Sequence, residues 1–230
     1  MLDRLKVRAI TLDLDDTLWP IWPTIARAEA SLQAWLRQRA PATADLMADD
    51  LARHRLREQV MLERPDFKHQ LSAIRTEMIR RALLQSGDDP GLADPAYAVF
   101  FEGRLQVELF DDALPALEFL AARYPIVALS NGNADVEKIG LGRFFRASLS
   151  AESFGVGKPE PAIFHAGAAA AGVAPHEVLH IGDDASLDVL GALACGMQTV
   201  WLNREDQLWP HEAQPHETVT QLHELTELLS

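Results

Sequence analysis

The stretch Leu12-Asp13-Leu14-Asp15-Asp16-Thr17-Leu18-Trp19 places three carboxylates directly after a short apolar run. The run from Val7 to Leu12 is continuous instead of alternating and contains β-branched residues, which is typical of a central strand in a parallel sheet covered on both faces. In open α/β sheets, the carboxyl ends of such strands line the ligand-binding crevice. We therefore predict an α/β fold whose site lies at this acidic stretch.

Asp13 and Asp15 are two residues apart, so their side chains point the same way if the backbone stays extended. Two carboxylates on one side repel each other unless a cation or a shared proton compensates. The spacing therefore indicates a metal site or a nucleophile with an acid/base partner. The alternative is a polar turn whose acids cap the following helix.

Composition limits the possible functions. The chain has 230 residues, is 48% hydrophobic and carries a formal charge of -13, which disfavours a nucleic-acid-binding protein. No apolar run approaches membrane-spanning length, so we expect a cytoplasmic protein without a membrane partner. We also expect a monomer or homodimer. The single cysteine, Cys195, is expected to pack as a small apolar residue.

A long helical segment interrupts the α/β pattern after the first strand. Residues 20–105 hold 12 Lys/Arg and 12 Asp/Glu, against 9 and 22 in the remainder, so the negative charge belongs to the core. We interpret 20–105 as an inserted helical cap, and 1–19 with 106–230 as the catalytic core. Apolar spacing predicts helices over 22–38, 43–62, 67–86 and 94–107. In the remainder it predicts helices over 113–123, 134–140, 162–171, 189–195 and 220–229, and strands over 126–129, 147–150, 178–181 and 198–202.

Polar residues follow two of these later strands. Ser130-Asn131-Gly132 is either an ordinary turn or, at a strand's carboxyl edge, a hydroxyl and backbone amides that cradle an anion. Gly182-Asp183-Asp184, with Asp188 further on, either caps the next helix or completes an oxygen-ligand site for Mg²⁺. His180, inside the apolar strand, is interpreted as a core histidine.

Lys158 lies in the stretch Gly157-Lys158-Pro159-Glu160-Pro161, just before a predicted helix. A lysine in a Gly/Pro loop is usually a solvated turn residue. Here Pro159 restricts the backbone of Lys158, and Pro161 suits the first turn of the helix. We therefore expect Lys158 to be held at the entrance of that helix.

Taken in order, these four stretches resemble the signature motifs of the haloacid dehalogenase-like superfamily, in the subfamily with a helical cap. The resemblance implies a Rossmann-like parallel sheet and a phosphatase in which Asp13 is the nucleophile and Asp15 the acid/base. It also implies Mg²⁺, bound by the carboxylates of Asp13 and Asp183 and by the backbone carbonyl of Asp15.

The same resemblance assigns supporting roles. Four residues are expected to bind or arrange the phosphate group: Thr17, which also fixes the loop carrying Asp15, and Ser130, Asn131 and Lys158. Asp184 and Asp188 are expected to be secondary ligands or orienting groups. The expected partner is a small phosphorylated metabolite, because a closing cap excludes large polymers.

The stretches Ser-Asn-Gly-Asn-Ala, Gly-Leu-Gly-Arg-Phe-Phe and His-Ile-Gly-Asp-Asp resemble bacterial phosphatases of flavin mononucleotide and of 5-amino-6-(5-phospho-D-ribitylamino)uracil, an intermediate of riboflavin biosynthesis. Trp19 and Trp22 either pack at the cap hinge or stack on the planar ring of such a substrate. Three alternatives stay open: a 2-haloacid dehalogenase, which the family pattern gives neither the second acid nor magnesium; a phosphoglycolate or nucleotide phosphatase; and a non-catalytic binding protein that retains the fold.

Overall fold

The computed structural model describes all residues from Met1 to Ser230, and its centre is a six-stranded, fully parallel sheet. The strands lie in the order β3-β2-β1-β4-β5-β6. The α/β fold predicted from the sequence is therefore confirmed. The strands are β1 (Ala9–Leu12), β2 (Ile126–Ser130), β3 (Ala147–Ser150), β4 (Val178–Gly182), β5 (Gln198–Leu202) and β6 (Glu217–Val219).

The register of the central strands brings their carboxyl ends to one level. Leu12 of β1 pairs with Ala128 of β2 on one side and with Ile181 of β4 on the other. Every residue of these three strands is buried, as their continuous apolar sequences predicted. The residues that follow β1, β2 and β4 therefore meet at one edge of the sheet.

The chain forms two compact units. One unit comprises Met1–Pro20 with Glu108–Ser230 and contains the whole sheet; the other, Ile21–Val107, is helical. The interpretation of the helical unit as a cap remains a prediction.

The helical unit contains α1 (Ile21–Arg39), α2 (Pro41–Ala48), α3 (Asp50–Glu63), α4 (Leu71–Ser86) and α5 (Ala93–Arg104). It has its own apolar core, in which Leu32, Ile79 and Phe100 are buried. None of the helices in the chain is both long and apolar enough to cross a lipid bilayer.

The single helix predicted over 43–62 is wrong, because two helices occupy this stretch. Asp49 has an extended backbone, and its side chain accepts a hydrogen bond from the amide of Leu51. Asp49 thereby ends α2 and caps α3, and such capping is a common role of aspartate at helix starts.

The sheet unit contains α6 (Ala113–Ala121), α7 (Val136–Ile139), α8 (Ala151–Phe154), α9 (Pro161–Ala171), α10 (Gly191–Ala194) and α11 (Leu222–Leu228). The helix predicted to begin at Val189 begins earlier, as a π-helical turn over Ala185–Leu190 that precedes α10. The cause is Asp184, whose side chain accepts hydrogen bonds from the amides of Ser186 and Leu187. The edge strand β6 was not predicted.

Candidate active site

An open cavity lies at the carboxyl edge of the sheet, and its lining is dominated by carboxylates and one lysine. It collects side chains from the loops after β1, β2 and β4 and from the loop before α9. The lining residues are Asp13, Asp15, Asp16, Ser130, Asn131, Gly132, Lys158, Asp183, Asp184, Leu187 and Asp188.

A tight loop after β1 carries the first two acids. The Asp13 amide still donates to Ile181 O of the neighbouring strand, at 2.9 Å. The chain then turns through Asp16, whose φ of 57° lies in the left-handed region and whose amide donates to Trp19 O at 2.8 Å. Within this turn, the Trp19 indole N–H donates to Asp15 Oδ1 at 2.8 Å.

Lys158 is a buried lysine of the site and not a solvated turn residue. Its Nζ lies 2.6 Å from Asp13 Oδ1 and 2.6 Å from Asp188 Oδ1. The Asn131 side chain holds the Lys158 backbone twice: its Oδ1 accepts from Lys158 N at 2.7 Å, and its Nδ2 donates to Lys158 O at 2.8 Å. The loops after β2 and before α9 are therefore joined at the lysine.

Both carboxylate oxygens of Asp188 accept hydrogen bonds from the protein. Oδ1 accepts from Lys158 Nζ and, at 3.0 Å, from His180 Nε2; Oδ2 accepts from the Asp184 amide at 3.1 Å. A Cβ atom on Gly182 would lie 2.2 Å from Asp188 Cγ, so only glycine fits at the end of β4. The Asp188 carboxylate is fully buried.

Burial and the crowding of acids shift the protonation equilibria. Burial raises the pKa of Asp13 well above its usual range, although Lys158 opposes the shift. Burial and the charge of Asp188 raise the pKa of Asp183 to about 7. For Asp188, burial opposes ionisation, but the charge of Lys158 and the hydrogen bond from His180 outweigh it and lower the pKa to about 2.

Three carboxylates of the site can share one cation. Oxygen atoms of Asp13, Asp183 and Asp188 all lie within 4.8 Å of one another. When all three are ionised, Lys158 alone leaves two negative charges uncompensated in a largely buried place, which a divalent cation would neutralise. An all-oxygen donor set suits Mg²⁺, so the residues present fit this metal.

The remaining residues singled out from the sequence lie in several environments. Thr17 is fully buried and does not line the cavity; its hydroxyl donates to Asp183 Oδ1 at 3.0 Å. Ser130 lines the cavity, and its Oγ accepts from the Gly132 amide at 2.9 Å. Trp19 is buried, whereas Trp22 is in the helical unit and 76% exposed.

Sequence reasoning missed three residues that contact the site residues. His180 bonds to Asp188; the Trp201 indole N–H donates to Asp183 O at 2.7 Å; and Arg204 donates to Thr17 O at 3.0 Å. His180 lies in β4, two residues before Gly182, so both residues are on the same face of the strand. This spacing was a signal in the sequence that could have linked His180 to the site. Nothing in the local sequence links Trp201 or Arg204, at the end of β5, to the acids.

Comparison with known proteins identifies the family. Residues 7–196 match the family model described as a haloacid dehalogenase-like hydrolase. The protein belongs to this family. The haloacid dehalogenase-like assignment predicted from the four motifs is therefore confirmed.

Individual relatives of this haloacid dehalogenase-like hydrolase carry both phosphatase and dehalogenase names. The 5-amino-6-(5-phospho-D-ribitylamino)uracil phosphatase YigB of Escherichia coli is 33% identical over 97% of each chain. A phosphoserine phosphatase of Thermus thermophilus is 32% identical over 66% of this chain and 63% of its own length. The crystal structure of a 2-haloacid dehalogenase from Pseudomonas syringae is 37% identical, with a TM-score of 0.92 over 97% of this chain and 98% of that one. The family and its phosphatase-named relatives support a phosphatase enzyme.

Proposed function

We propose that the protein is a Mg²⁺-dependent phosphomonoester hydrolase that acts on a small phosphorylated metabolite through an aspartyl-phosphate intermediate. The observation that carries the proposal is the pairing of two acids with different environments. Asp13 lies against the buried Lys158, whereas Asp15 is held by the Trp19 indole. A nucleophile and an acid/base need this difference, since one must attack while the other exchanges a proton.

In the first half-reaction, a carboxylate oxygen of Asp13 attacks phosphorus and the ester P–O bond breaks. The Asp15 carboxyl group gives its proton to the departing alkoxide. In the second half-reaction, Asp15 takes a proton from water, the water oxygen attacks phosphorus, and the bond to Asp13 breaks, which releases phosphate. Lys158 and the Ser130 hydroxyl hold the phosphoryl oxygens during both steps.

The carboxylates of Asp13 and Asp183 and the backbone carbonyl of Asp15 would hold Mg²⁺. When bound, the ion screens the anionic nucleophile from the anionic substrate. Thr17 orients Asp183 through its hydroxyl. The oxygens of Asp188 lie close to those of Asp13 and Asp183, but we assign Asp188 to the orientation of Lys158 and not to the metal, because the protein already satisfies both of its oxygens.

The proposed substrates are 5-amino-6-(5-phospho-D-ribitylamino)uracil and flavin mononucleotide. The name of the Escherichia coli relative, which matches nearly the whole chain, supports the first. Trp19 is buried and bonded to Asp15, so it is not free to stack on a planar ring. Trp22 is exposed, and its stacking on such a ring stays a prediction.

The second candidate function is 2-haloacid dehalogenation, which the name of the Pseudomonas syringae structure favours. Asp15 argues against it, since the family pattern gives dehalogenases no second acid. In this chain Asp15 lines the cavity and is fixed by a hydrogen bond.

The experiment that separates the two functions is an assay of the purified protein against a panel of phosphate esters and 2-chloropropionate, with and without Mg²⁺. Asp13→Asn is the matched variant. We expect Mg²⁺-dependent phosphate release that this substitution abolishes, with the two proposed substrates turned over faster than p-nitrophenyl phosphate. Metal-independent chloride release would instead show a dehalogenase, and no turnover at all would support a binding protein.

A further inference from the structure

His180 belongs to a chain of buried polar contacts that reaches the cavity. Its Nδ1 lies 2.8 Å from Thr11 Oγ1 of β1, and its Nε2 lies 3.0 Å from Asp188 Oδ1. Asp188 Oδ1 in turn accepts from Lys158 Nζ at 2.6 Å, and Lys158 lies 2.6 Å from Asp13. His180 is thus three contacts away from the proposed nucleophile, with Asp188 and Lys158 in between.

The direction of the hydrogen bond to Asp188 follows from the carboxylate. An ionised carboxylate can only accept, so Nε2 of His180 carries the hydrogen. In a neutral ring, Nδ1 is then the acceptor for the Thr11 hydroxyl. The ring is held at both nitrogens, and the Phe164 ring meets it edge to face, with centroids 5.1 Å apart.

The surroundings of Asp188 explain why the hydrogen bond from His180 Nε2 matters. Asp188 is fully buried, and Gly182 leaves no room for a side chain beside it. Its Oδ1 must face Lys158 to keep the ammonium group beside Asp13. If the Asp188 carboxylate loses the hydrogen bond from His180, it can rotate about its terminal bond. The Lys158 ammonium group is attracted to the negative charge of Asp188, so it would move with the carboxylate.

We propose that His180 is a positioning residue of the reaction: its Nε2–H fixes the Asp188 carboxylate, and Asp188 thereby holds Lys158 in place for the phosphoryl group. The expected effect of His180 on the reaction rate rests on the proposed function. Its effect on the position of Lys158 does not, and can be measured without turnover.

The test compares two substitutions of similar size. The glutamine of His180→Gln can place an N–H where His180 Nε2 lies, whereas the shorter asparagine of His180→Asn can reach only the Thr11 side. We expect kcat/KM to fall by about 10-fold to 10²-fold in His180→Asn and to stay within about threefold of the native value in His180→Gln. Equal losses in both variants, or a lowered Tm with unchanged kcat/KM, would overturn the proposal.

If His180→Asn does not fold, Thr11→Val replaces it, because this change removes the hydroxyl that holds the His180 ring but keeps the ring itself. We expect a severalfold loss of kcat/KM in Thr11→Val. Native kcat/KM in this variant would overturn the proposal.

A double-mutant cycle with Asp188→Asn tests whether His180 acts through Asp188. We expect His180→Asn to cost little further activity once Asp188 is changed, because the two residues then act as one unit. Independent, multiplying losses would contradict the proposal.

Two readouts keep this inference separable from the proposed function. The dissociation constant of inorganic phosphate, measured by calorimetry with Mg²⁺ present, should rise in His180→Asn but not in His180→Gln. A crystal structure of His180→Asn should show Lys158 Nζ moved away from Asp188 Oδ1. An unmoved lysine with native phosphate affinity would refute the role of His180, whereas a native protein that hydrolyses no ester would refute only the proposed function.

Discussion

The ion pairs around Lys158 in the sheet unit and several ion pairs of the helical unit differ in how far they are buried. In the sheet unit, Lys158, Asp188 and His180 are almost fully buried, and Asp188 contacts both of the other two. In the helical unit, the ion pairs of Glu77 with Arg80 and Arg81 keep partial exposure to solvent, and so does the pair of Arg64 with Asp66. Exposed pairs contribute about 0–1 kcal/mol each, whereas a buried charge is costly unless it is paired.

The burial of charged groups is energetically costly, and in the sheet unit this cost is concentrated at Asp13, Lys158 and Asp188. Replacement of a buried ion pair by apolar residues is often neutral or stabilising, so burial of Asp13, Lys158 and Asp188 is not explained by stability. Perturbed pKa values gather in the same place, at Asp13, Asp183 and Asp188, as is common at functional sites. The pairs of Glu77 with Arg80 and Arg81 have ordinary helix spacing, i,i+3 and i,i+4, and stay partly exposed.

The largest expected contrast comes from removal of one cation in each unit. Lys158→Met leaves Asp13 and Asp188 without their shared cation, so we expect the free energy of unfolding to fall by about 3 kcal/mol and activity to be lost. Arg81→Met in the helical unit removes partly exposed pairs and should cost less than about 1 kcal/mol. Urea unfolding of both variants measures the contrast, and equal losses would show that burial does not distinguish the two units.

A second contrast uses one glycine from each unit. In Gly182→Ala the new Cβ must displace Asp188, so we expect about 1–3 kcal/mol of destabilisation and a fall in kcat of about 10²-fold. Gly87, at the end of α4, has a φ of 75° and open space around it. Gly87→Ala should therefore cost about 1 kcal/mol through backbone strain and leave kcat unchanged. Thermal unfolding and steady-state kinetics are measured together, and native kcat in Gly182→Ala would contradict the assigned role of Asp188.

The two tryptophans give a smaller contrast. Trp19→Phe keeps the buried ring but removes the N–H that donates to Asp15, so kcat should fall by about 10-fold, the effect of losing one hydrogen bond. Trp22→Phe keeps an aromatic surface at an exposed position and should change kcat by less than about twofold. The kcat of both variants is measured with p-nitrophenyl phosphate, because this substrate has no large ring system whose stacking could mask the effect on Asp15. A native kcat in Trp19→Phe would show that Asp15 does not need the indole.

The smallest expected effect concerns the pH dependence of stability at Glu77. Burial opposes its ionisation, but hydrogen bonds from Arg81 and Arg80 outweigh it and lower the pKa of Glu77 below its ordinary value of 4.5. A group with a lowered pKa stabilises the fold above its ordinary pKa, and this contribution disappears as the pH falls through the folded-state pKa. Glu77→Gln should therefore be less stable than the native protein by about 0.5 kcal/mol at pH 7, and this difference should shrink when the pH is lowered to about 3. Urea unfolding at both pH values checks this, and a constant difference would mean that the charge of Glu77 is not responsible.

Much of the fold could be predicted from the sequence, because buried parallel strands are apolar runs and each ends in a polar stretch. The strands over 126–129, 147–150, 178–181 and 198–202 are all confirmed within one residue. The break at Asp49 and the edge strand β6 were missed. A capping aspartate within a helical pattern resembles any surface acid, and a three-residue strand has too few residues to show alternation.

By itself, the sequence determined the order of the four motifs, the family and the residues that approach one edge of the sheet. These depend on local patterns: strand runs, the restriction imposed by Pro159, and carboxylates spaced by two. Only the tertiary structure decided which partner each side chain takes. Thr17 donates to Asp183, Trp201 holds the Asp183 carbonyl, and His180 meets Asp188 beside Lys158. Most of these contacts join residues on different strands and loops, so they depend on strand order and register, which no local pattern in the sequence contains.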